Sequence, residues 1–374
     1  MRWRIGGAMT GAAMCAAAFA LLWPHARDAG AVLIAQDDPA RLSDLRLDSA
    51  FRNDPALATE NIEAALSAQD PDLANSLVDL AAARGLSTPD ELSQRVATAV
   101  REENSTGHIA KRFFIGLLTG NADDGASLSG TVAGDLSAFG DVRDLMREGK
   151  HLATGEDADR LLLGLAATGL VVTAATFVSV GGAAPVRAGL TLVKDARKAG
   201  RLGEGLSRWA GRSAREIVDM RKLKNAVAAG TLARPRQTAV ALKAAIRAEK
   251  VGGLVRLAKD VGRIGEKSGT RGALDTLRIA EGPKDVARAA RLAETKGGQT
   301  RAIVKILGRG ALLLTAGAFN LAMWVLSAVL ALFGFLSSIK ATTERLTLSW
   351  LQRSKARRLR RQLAAQSAGG GAPA

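Results

Sequence analysis

The chain has 374 residues, room for two or three domains, and carries 52 Lys/Arg against 36 Asp/Glu, a formal charge of +16. Its single cysteine, Cys15, excludes an intramolecular disulfide framework and any zinc site built on clustered cysteines, and His25, His108 and His151 are widely scattered. Aromatic residues make up only 4% and tyrosine is absent, while abundant Ala, Gly and Arg suggest a GC-rich bacterial genome.

The charge is unevenly spread. Residues 25–160 hold 13 Lys/Arg against 24 Asp/Glu, whereas residues 186–310 hold 29 against 11. From Lys340 onward there are eight basic residues and one acidic. An acidic first half is therefore followed by a basic second half, and the uncharged run LLLGLAATGLVVTAATFVSV, Leu161 to Val180, divides them.

Residues 1–24 open with Arg2 and Arg4, then run uncharged from Ile5 to Trp23. Roughly 20 residues cross a bilayer core, and Trp3 and Trp23 bracket the run as interfacial anchors do. A signal peptide is the rival, but Arg27 and Asp28 make a poor cleavage site of Ala29-Gly30-Ala31, so an uncleaved anchor is expected. Gly7 and Gly11 form a GxxxG pair, a candidate helix-packing face. Cys15 lies in the same apolar run and reads as a small buried hydrophobe.

Residues 25–104 read as an acidic helical module. Asp54-Pro55, Asp70-Pro71 and Thr88-Pro89 each place a capping residue before a proline suited to the first helical position. Glu91 stands at capping-box spacing from Thr88, and Gly85 is a natural helix stop. Leu73, Leu77 and Leu80 recur at helical intervals, as do Leu92, Val96 and Val100, so short antiparallel helices are expected. Residues 105–160 are looser. FFIGLL is too short to span, and Asp123-Asp124-Gly125 lacks the remaining ligands of a calcium loop, which makes it a turn.

Residues 161–184 contain the central apolar run. On length it could span, and its small face of Ala166, Gly169, Thr173 and Thr176 suits close helix packing in lipid or in protein. Residues 140–160, GDVRDLMREGKHLATGEDADR, lead into it, and VRAGLTLVKDARKAGRL follows. In this order Gly140, Asp141, Asp144, Gly149, Lys150, Thr154 and Gly155, with Lys194 and Lys198 beyond, resemble the pre-toxin module with a TG motif of bacterial polymorphic toxins. The resemblance covers about sixty residues (139–200) and implies a helical linker or membrane-interacting module, not a catalytic site. Such modules usually precede a C-terminal toxic domain, whereas an apolar run and a basic tail follow here. Read without the family, Asp141 and Asp144 begin a helix, Gly149 and Gly155 break it, and Glu156, Asp157 and Asp159 favour the start of the apolar helix.

Residues 186–310 read as short basic helices broken by glycine. RIGEKSGTRGALDTLRIAE from Arg263 and RLAETKGGQTRAIVKILGRG from Arg291 are related, each a helix, a glycine turn, Thr-Arg and a second helix. Three uses of the charge present themselves: nucleic acid, anionic lipid, or pairing with the acidic half. Trp209 is the only aromatic residue between Val186 and Gly310, and no recognised motif appears, which argues against nucleic acid. A solvated basic face is the plain reading.

Residues 311–339 form the longest uncharged run, Ala311 to Ile339, with Asn320 and Ser327 on one face. Residues 340–374 then form a basic tail, disordered at its end, in which Arg353, Lys355, Arg357, Arg358, Arg360 and Arg361 make a candidate lipid-contacting cluster. Basic flanks at both ends of the chain favour an even number of crossings, with both flanks in the cytoplasm. The central run is then a buried or re-entrant helix. If it spans as a third crossing, the tail violates the positive-inside rule.

No P-loop, GxGxxG after a strand, or HExxH is present, and no catalytic, cofactor or metal constellation emerges. The expectation is an all-α, membrane-anchored protein with two or three transmembrane helices and short helical hairpins between them. It would act without catalysis as a scaffold or interaction partner at the bacterial inner membrane, with anionic lipid, a protein partner or a second copy as ligands. The alternative is a toxin-associated or membrane-inserting effector whose segment 161–184 enters a target bilayer.

Overall fold

The computed structural model describes residues 2–104, 135–176, 184–229, 240, 242–313 and 316–369. FFIGLL, His108, Asp123-Asp124-Gly125 and the last four residues of the central apolar run lie outside them. The described regular structure is helical, apart from one isolated antiparallel bridge between Val218 and Ile246. The chain divides into two compact units, Ala35–Leu313 and the pair Met1–Ile34 with Leu314–Ala374.

Ala35–Leu313 begins with α2 (Pro39–Asn53), α3 (Leu57–Ser67), α4 (Pro71–Ala83) and α5 (Asp90–Glu103). At α4, Asp70 Oδ1 accepts the Leu73 amide at 3.2 Å and Pro71 takes the first helical position, as the Asp-Pro pair predicts. Gly85, at φ +64°, ends this helix, with the Leu86 amide donating to the Ala81 carbonyl in a Schellman arrangement. The same Asp-Pro signature at Asp38-Pro39 opens α2, where Asp38 Oδ1 accepts the Ala40 and Arg41 amides at 3.0 and 3.2 Å.

Two starts differ from expectation. α3 begins at Leu57 rather than Pro55, because Asp54 turns the chain by accepting the Ala56 amide at 3.1 Å. α5 begins at Asp90, with Pro89 in the capping position at φ −54° and ψ 134° and no side-chain cap. That extended proline displaces Thr88 from the helix end, so the Thr88/Glu91 capping box does not form.

The second half comprises α6 (Asp135–Thr154), α7 (Arg160–Thr176), α8 (Ala184–Lys198), α9 (Glu204–Ile217), α10 (Met220–Ala229), α11 (Gly252–Ile279), α12 (Pro283–Lys296) and α13 (Thr300–Leu307). The central apolar run forms α7, which packs against α6, α8, α9 and α11. Leu161, Leu162, Leu163, Leu165, Ala166, Ala167, Thr168 and Val172 are buried there. The one deeply buried hydroxyl among them is satisfied within the helix, Thr168 Oγ1 donating to the Gly164 carbonyl at 2.8 Å. Apolar side chains on every face of α7 meet protein.

Small residues set the distances between these helices. A Cβ at Gly164 would lie 2.3 Å from that of Ala214, so α7 and α9 touch at their backbones. Across α8 and α11, a Cβ at Gly189 would lie 1.7 Å from the Ala258 carbonyl oxygen, and one at Gly262 would lie 1.9 Å from that of Pro185. The related sequences of the basic half share a break. α11 is interrupted at Gly269, φ +77°, and α12 ends at Gly297, φ +53°, before α13 resumes with Thr300-Arg301.

The other unit consists of α1 (Arg2–Ile34) and α14 (Ala316–Gly369), which pack against each other. At 1.5 Å per residue these helices extend roughly 50 Å and 80 Å. α1 contains Gly7 and Gly11 and carries Pro24 inside it, and Phe19 stacks on Trp23 with ring centroids 5.4 Å apart. Among the described residues, one helix, from Phe319 on α14, is long and apolar enough to cross a membrane.

Glycine substitutions test the close packing. Gly262→Ala should destabilise Ala35–Leu313 by at least about 1–3 kcal/mol, because its methyl group meets a backbone carbonyl that cannot rotate away. Gly140→Ala, in α6 with nothing within 4 Å of the added carbon, should instead stabilise by up to about 1 kcal/mol. Urea unfolding of the two variants checks the contrast.

Candidate functional site

The most unusual chemistry in Ala35–Leu313 is a buried charge cluster beneath the apolar helix. Asp141 and Asp144 sit one helical turn apart on α6, and Lys194 reaches them from α8, 53 and 50 residues away. Lys194 Nζ donates to Asp141 Oδ1 and, at 3.2 Å, to Asp144 Oδ2. α7 makes room for this arrangement. A Cβ at Gly169 would lie 2.0 Å from Asp141 Oδ2, so only glycine lets the carboxylate lie against that helix.

Lys194 thus serves two buried carboxylates, and the Arg187 charge also acts on Asp141. Asp144 Oδ1 is buried without a hydrogen-bond partner, and the Arg143 guanidinium stands 3.9 Å from it. Burial pushes the Asp141 carboxyl up from 3.8 to about 6, against the pull of the Lys194 charge and hydrogen bond, with Asp144 adding to the rise. Burial alone would lower the Lys194 pKa, but the two carboxylates outweigh it and hold the ammonium charged.

A second cluster joins the acidic and basic halves. Arg301 is 6% exposed and donates to both oxygens of Asp70, at 2.7 and 2.5 Å, while its Nε donates to Asp275 at 3.0 Å. Arg271 approaches the same Asp70 at 3.3 Å and reaches Glu103 at 3.1 Å. Arg271 and Arg301 are the arginines of the two Thr-Arg pairs in the repeat, so both copies converge on the residue that caps α4. Ser76 adds a neutral link, donating to the Gly298 carbonyl at 2.6 Å and accepting the Ala302 amide at 3.0 Å. A polar cleft of about 270 Å³, bordered by Asp72, Asp79, Thr270 and Arg271, opens beside this seam.

Further pairs follow the same division. Lys296 donates to Asp44 at 2.6 and 2.8 Å, and Arg288 lies 3.7 Å from Asp37. Lys194, Arg197, Arg271, Arg288, Lys296 and Arg301 of the basic half thus pair with carboxylates of the acidic half. Burial alone would raise the Asp70 pKa, but the Arg301 hydrogen bonds and charge, the Leu73 amide and the Arg271 charge hold it below the usual carboxylate value.

The residues of the toxin-module resemblance fall into distinct roles. Asp141, Asp144 and Lys194 meet in the buried cluster. Gly149 packs against Leu223 and Val227 of α10, Gly155 takes φ +81° after α6, and Thr154 Oγ1 bonds the Lys150 carbonyl at 3.0 Å. Lys150 and Lys198 are exposed. No protein-family model matches this chain, and neither curated proteins nor solved structures provide a match to it.

The other sequence-predicted residues are placed as follows. Gly169 lies against Asp141, and Thr173 is half-buried near the end of α7. Asn320 is exposed on α14, where Ser327 Oγ donates to the Met323 carbonyl at 2.7 Å within its own helix. Arg353, Lys355, Arg357, Arg358, Arg360 and Arg361 are all exposed on α14. Among the described residues no three His, Cys, Asp or Glu side chains group as metal ligands. The buried cluster and the seam have no local signature, since Lys194 lies 53 and 50 residues from its two carboxylates and Arg301 lies 231 from Asp70; only the duplicated Thr-Arg pairs announce the seam.

Two measurements probe these clusters. Between about pH 4 and 6 the native state keeps a proton on Asp141 that the unfolded chain has released, so this group makes stability fall as pH rises through that window. Asp141→Asn should lack this contribution, so the slope should appear in the difference between wild-type and variant unfolding free energies taken across that range. At the seam, Arg301→Ala leaves Asp70 and Asp275 without their buried cation and should cost about 3–5 kcal/mol. The more exposed Arg271→Ala should cost only about 1 kcal/mol or less.

Proposed function

We propose that this chain is a non-catalytic integral membrane protein of the bacterial inner membrane, acting as a scaffold or interaction partner. In this reading α1 and the apolar part of α14 cross the bilayer. Arg2, Arg4 and the tail cluster face the cytoplasm, and Ala35–Leu313 occupies the opposite side. A segment of this length translocates largely regardless of its charge.

The observation that carries the proposal is where large apolar side chains meet solvent. Among the described residues, all but one of the exposed large hydrophobics lie in α1 and α14 or at their ends, the exception being Val240. Leu321, Trp324, Leu330 and Phe333 on α14 are each more than 60% exposed. Side chains of this kind along one helix need a cover, and its length and composition suit lipid. Immediately beyond lie the six exposed basic residues from Arg353 to Arg361, each worth about 1 kcal/mol when held near an anionic leaflet. A protein partner or a second copy would dock on the unit that this anchor presents.

The packing of α7 supports two crossings rather than three. Its apolar surface is already covered by protein, and withdrawing it would uncover the Asp141, Asp144 and Lys194 charges. The alternative, an effector whose segment 161–184 enters a target bilayer, requires that withdrawal.

Single cysteines in a Cys15→Ser background separate these topologies. In spheroplasts an impermeant maleimide should label Arg95→Cys and Arg256→Cys, and should label Gln352→Cys only after lysis. Labelling of positions 95 and 256 from opposite sides would mean that the central helix crosses.

A further inference from the structure

Arg84, Arg271, Arg288 and Arg301 each meet a carboxylate of another element, whereas one cleft gathers five arginines of which three have no ion-pair partner among the described residues. It has a volume of about 470 Å³ and is lined by Arg160, Arg197, Arg208, Arg212 and Arg215, with Asp159 as its only acidic residue. Arg208, Arg212 and Arg215 follow one face of α9 at helical spacing, opposite the buried Leu206, Ala210, Ala214 and Ile217. Arg160 comes from the start of α7 and Arg197 from the end of α8, so three helices direct guanidinium groups into one concavity.

The single carboxylate is already committed. Asp159 Oδ1 accepts the Leu161 and Leu162 amides at 2.9 and 3.2 Å, and its Oδ2 accepts Arg197 Nε at 2.8 Å. Arg208 has only a distant, solvent-screened neighbour, Glu204 at 3.7 Å. Arg160, Arg212 and Arg215 have no ion-pair partner among the described residues. Five guanidinium groups against one carboxylate repel one another, less strongly where solvent screens them, and an anion with several oxygens would relieve that repulsion. Guanidinium groups suit this task because each offers parallel donors matched to phosphate oxygens. At Gly211, between the arginines, an added Cβ would meet nothing within 4 Å, so the floor of the cleft stays open.

The geometry points to a binding site for a compact phosphate-bearing ligand of charge −2 or more in this cleft, built by Arg160, Arg197, Arg208, Arg212 and Arg215. The lining contains no aromatic side chain, so nothing there stacks on a nucleobase, and the volume suits a phosphorylated head rather than a duplex. The phosphate is either that of a free polyphosphate or that of a phospholipid headgroup. The site is separate from the buried Lys194 cluster and from the seam, and it does not depend on the membrane topology.

The test titrates the full-length protein, in zwitterionic detergent, with sodium tripolyphosphate and with short-chain phosphatidic acid, by calorimetry at fixed ionic strength. The triple variant Arg160→Ala/Arg212→Ala/Arg215→Ala removes exposed side chains only, and circular dichroism checks that it remains folded. A control, Arg41→Ala/Arg95→Ala/Arg256→Ala, removes three exposed arginines from other helices. The expected result is at least tenfold weaker binding in the cleft variant with little change in the control. The tighter of the two probes identifies the source, soluble phosphate or lipid headgroup. Failure of both probes to bind the wild type overturns the site. An equal loss in both variants also overturns it, because the affinity then belongs to overall charge.

Discussion

Asp70 is the point on which Ala35–Leu313 turns. It caps α4 through the Leu73 amide, and its two oxygens receive the guanidinium of Arg301 from 231 residues away. Closing so long a loop is costly in chain entropy, although that cost grows only slowly with length. The return comes from several contacts made at once: Arg301 to Asp275, Arg271 to Glu103, and Ser76 between the Gly298 carbonyl and the Ala302 amide. A buried arginine without its carboxylates would be strongly destabilising, so Arg301 and Asp70 depend on each other. The unequal charge of the two halves becomes a means of holding them in register.

The central apolar helix shows how far a local pattern reaches. An uncharged helix that is apolar on every face is buried, and lipid and protein satisfy that demand equally well. Leu161 to Val172 therefore announces a helix without naming its surroundings. What distinguishes the cases is the company it keeps. Gly164 meets Ala214 backbone to backbone, and Gly169 receives the Asp141 carboxylate, contacts that depend on residues far along the chain. The same small face would serve a helix pair in a bilayer, which is why composition alone leaves both readings open.

Other features divide by range. Asp70-Pro71 and Gly85 were legible because a cap and a stop involve neighbours within one turn. Thr88 was misleading for an equally local reason: Pro89 adopts an extended conformation and itself takes the capping place. The duplicated Thr-Arg pairs were visible as a repeat, yet their shared target on α4 was not, since nothing near Asp70 records an arginine two hundred residues on. Asp141, Asp144 and Lys194 carried a family resemblance as isolated letters. Their physical connection is a buried set of ion pairs that packing of α6, α7 and α8 creates.

Sorting the positive charge by its partners separates structure from function more sharply than counting it. Arg271, Arg301, Lys296 and Lys194 are committed to carboxylates and contribute little field beyond them. In the α9 cleft Arg197 is held by Asp159, but Arg160, Arg212 and Arg215, like the arginines of the α14 tail, have no ion-pair partner among the described residues, and the two groups lie in different units. A net charge of +16 on the whole chain would suggest indiscriminate attraction to any polyanion. With the internal pairs set aside, two groups of basic side chains stand together: the guanidinium groups lining the α9 cleft and the exposed cluster on α14. By holding Arg271, Arg301, Lys296 and Lys194, the acidic half turns part of the positive charge to fixing the fold.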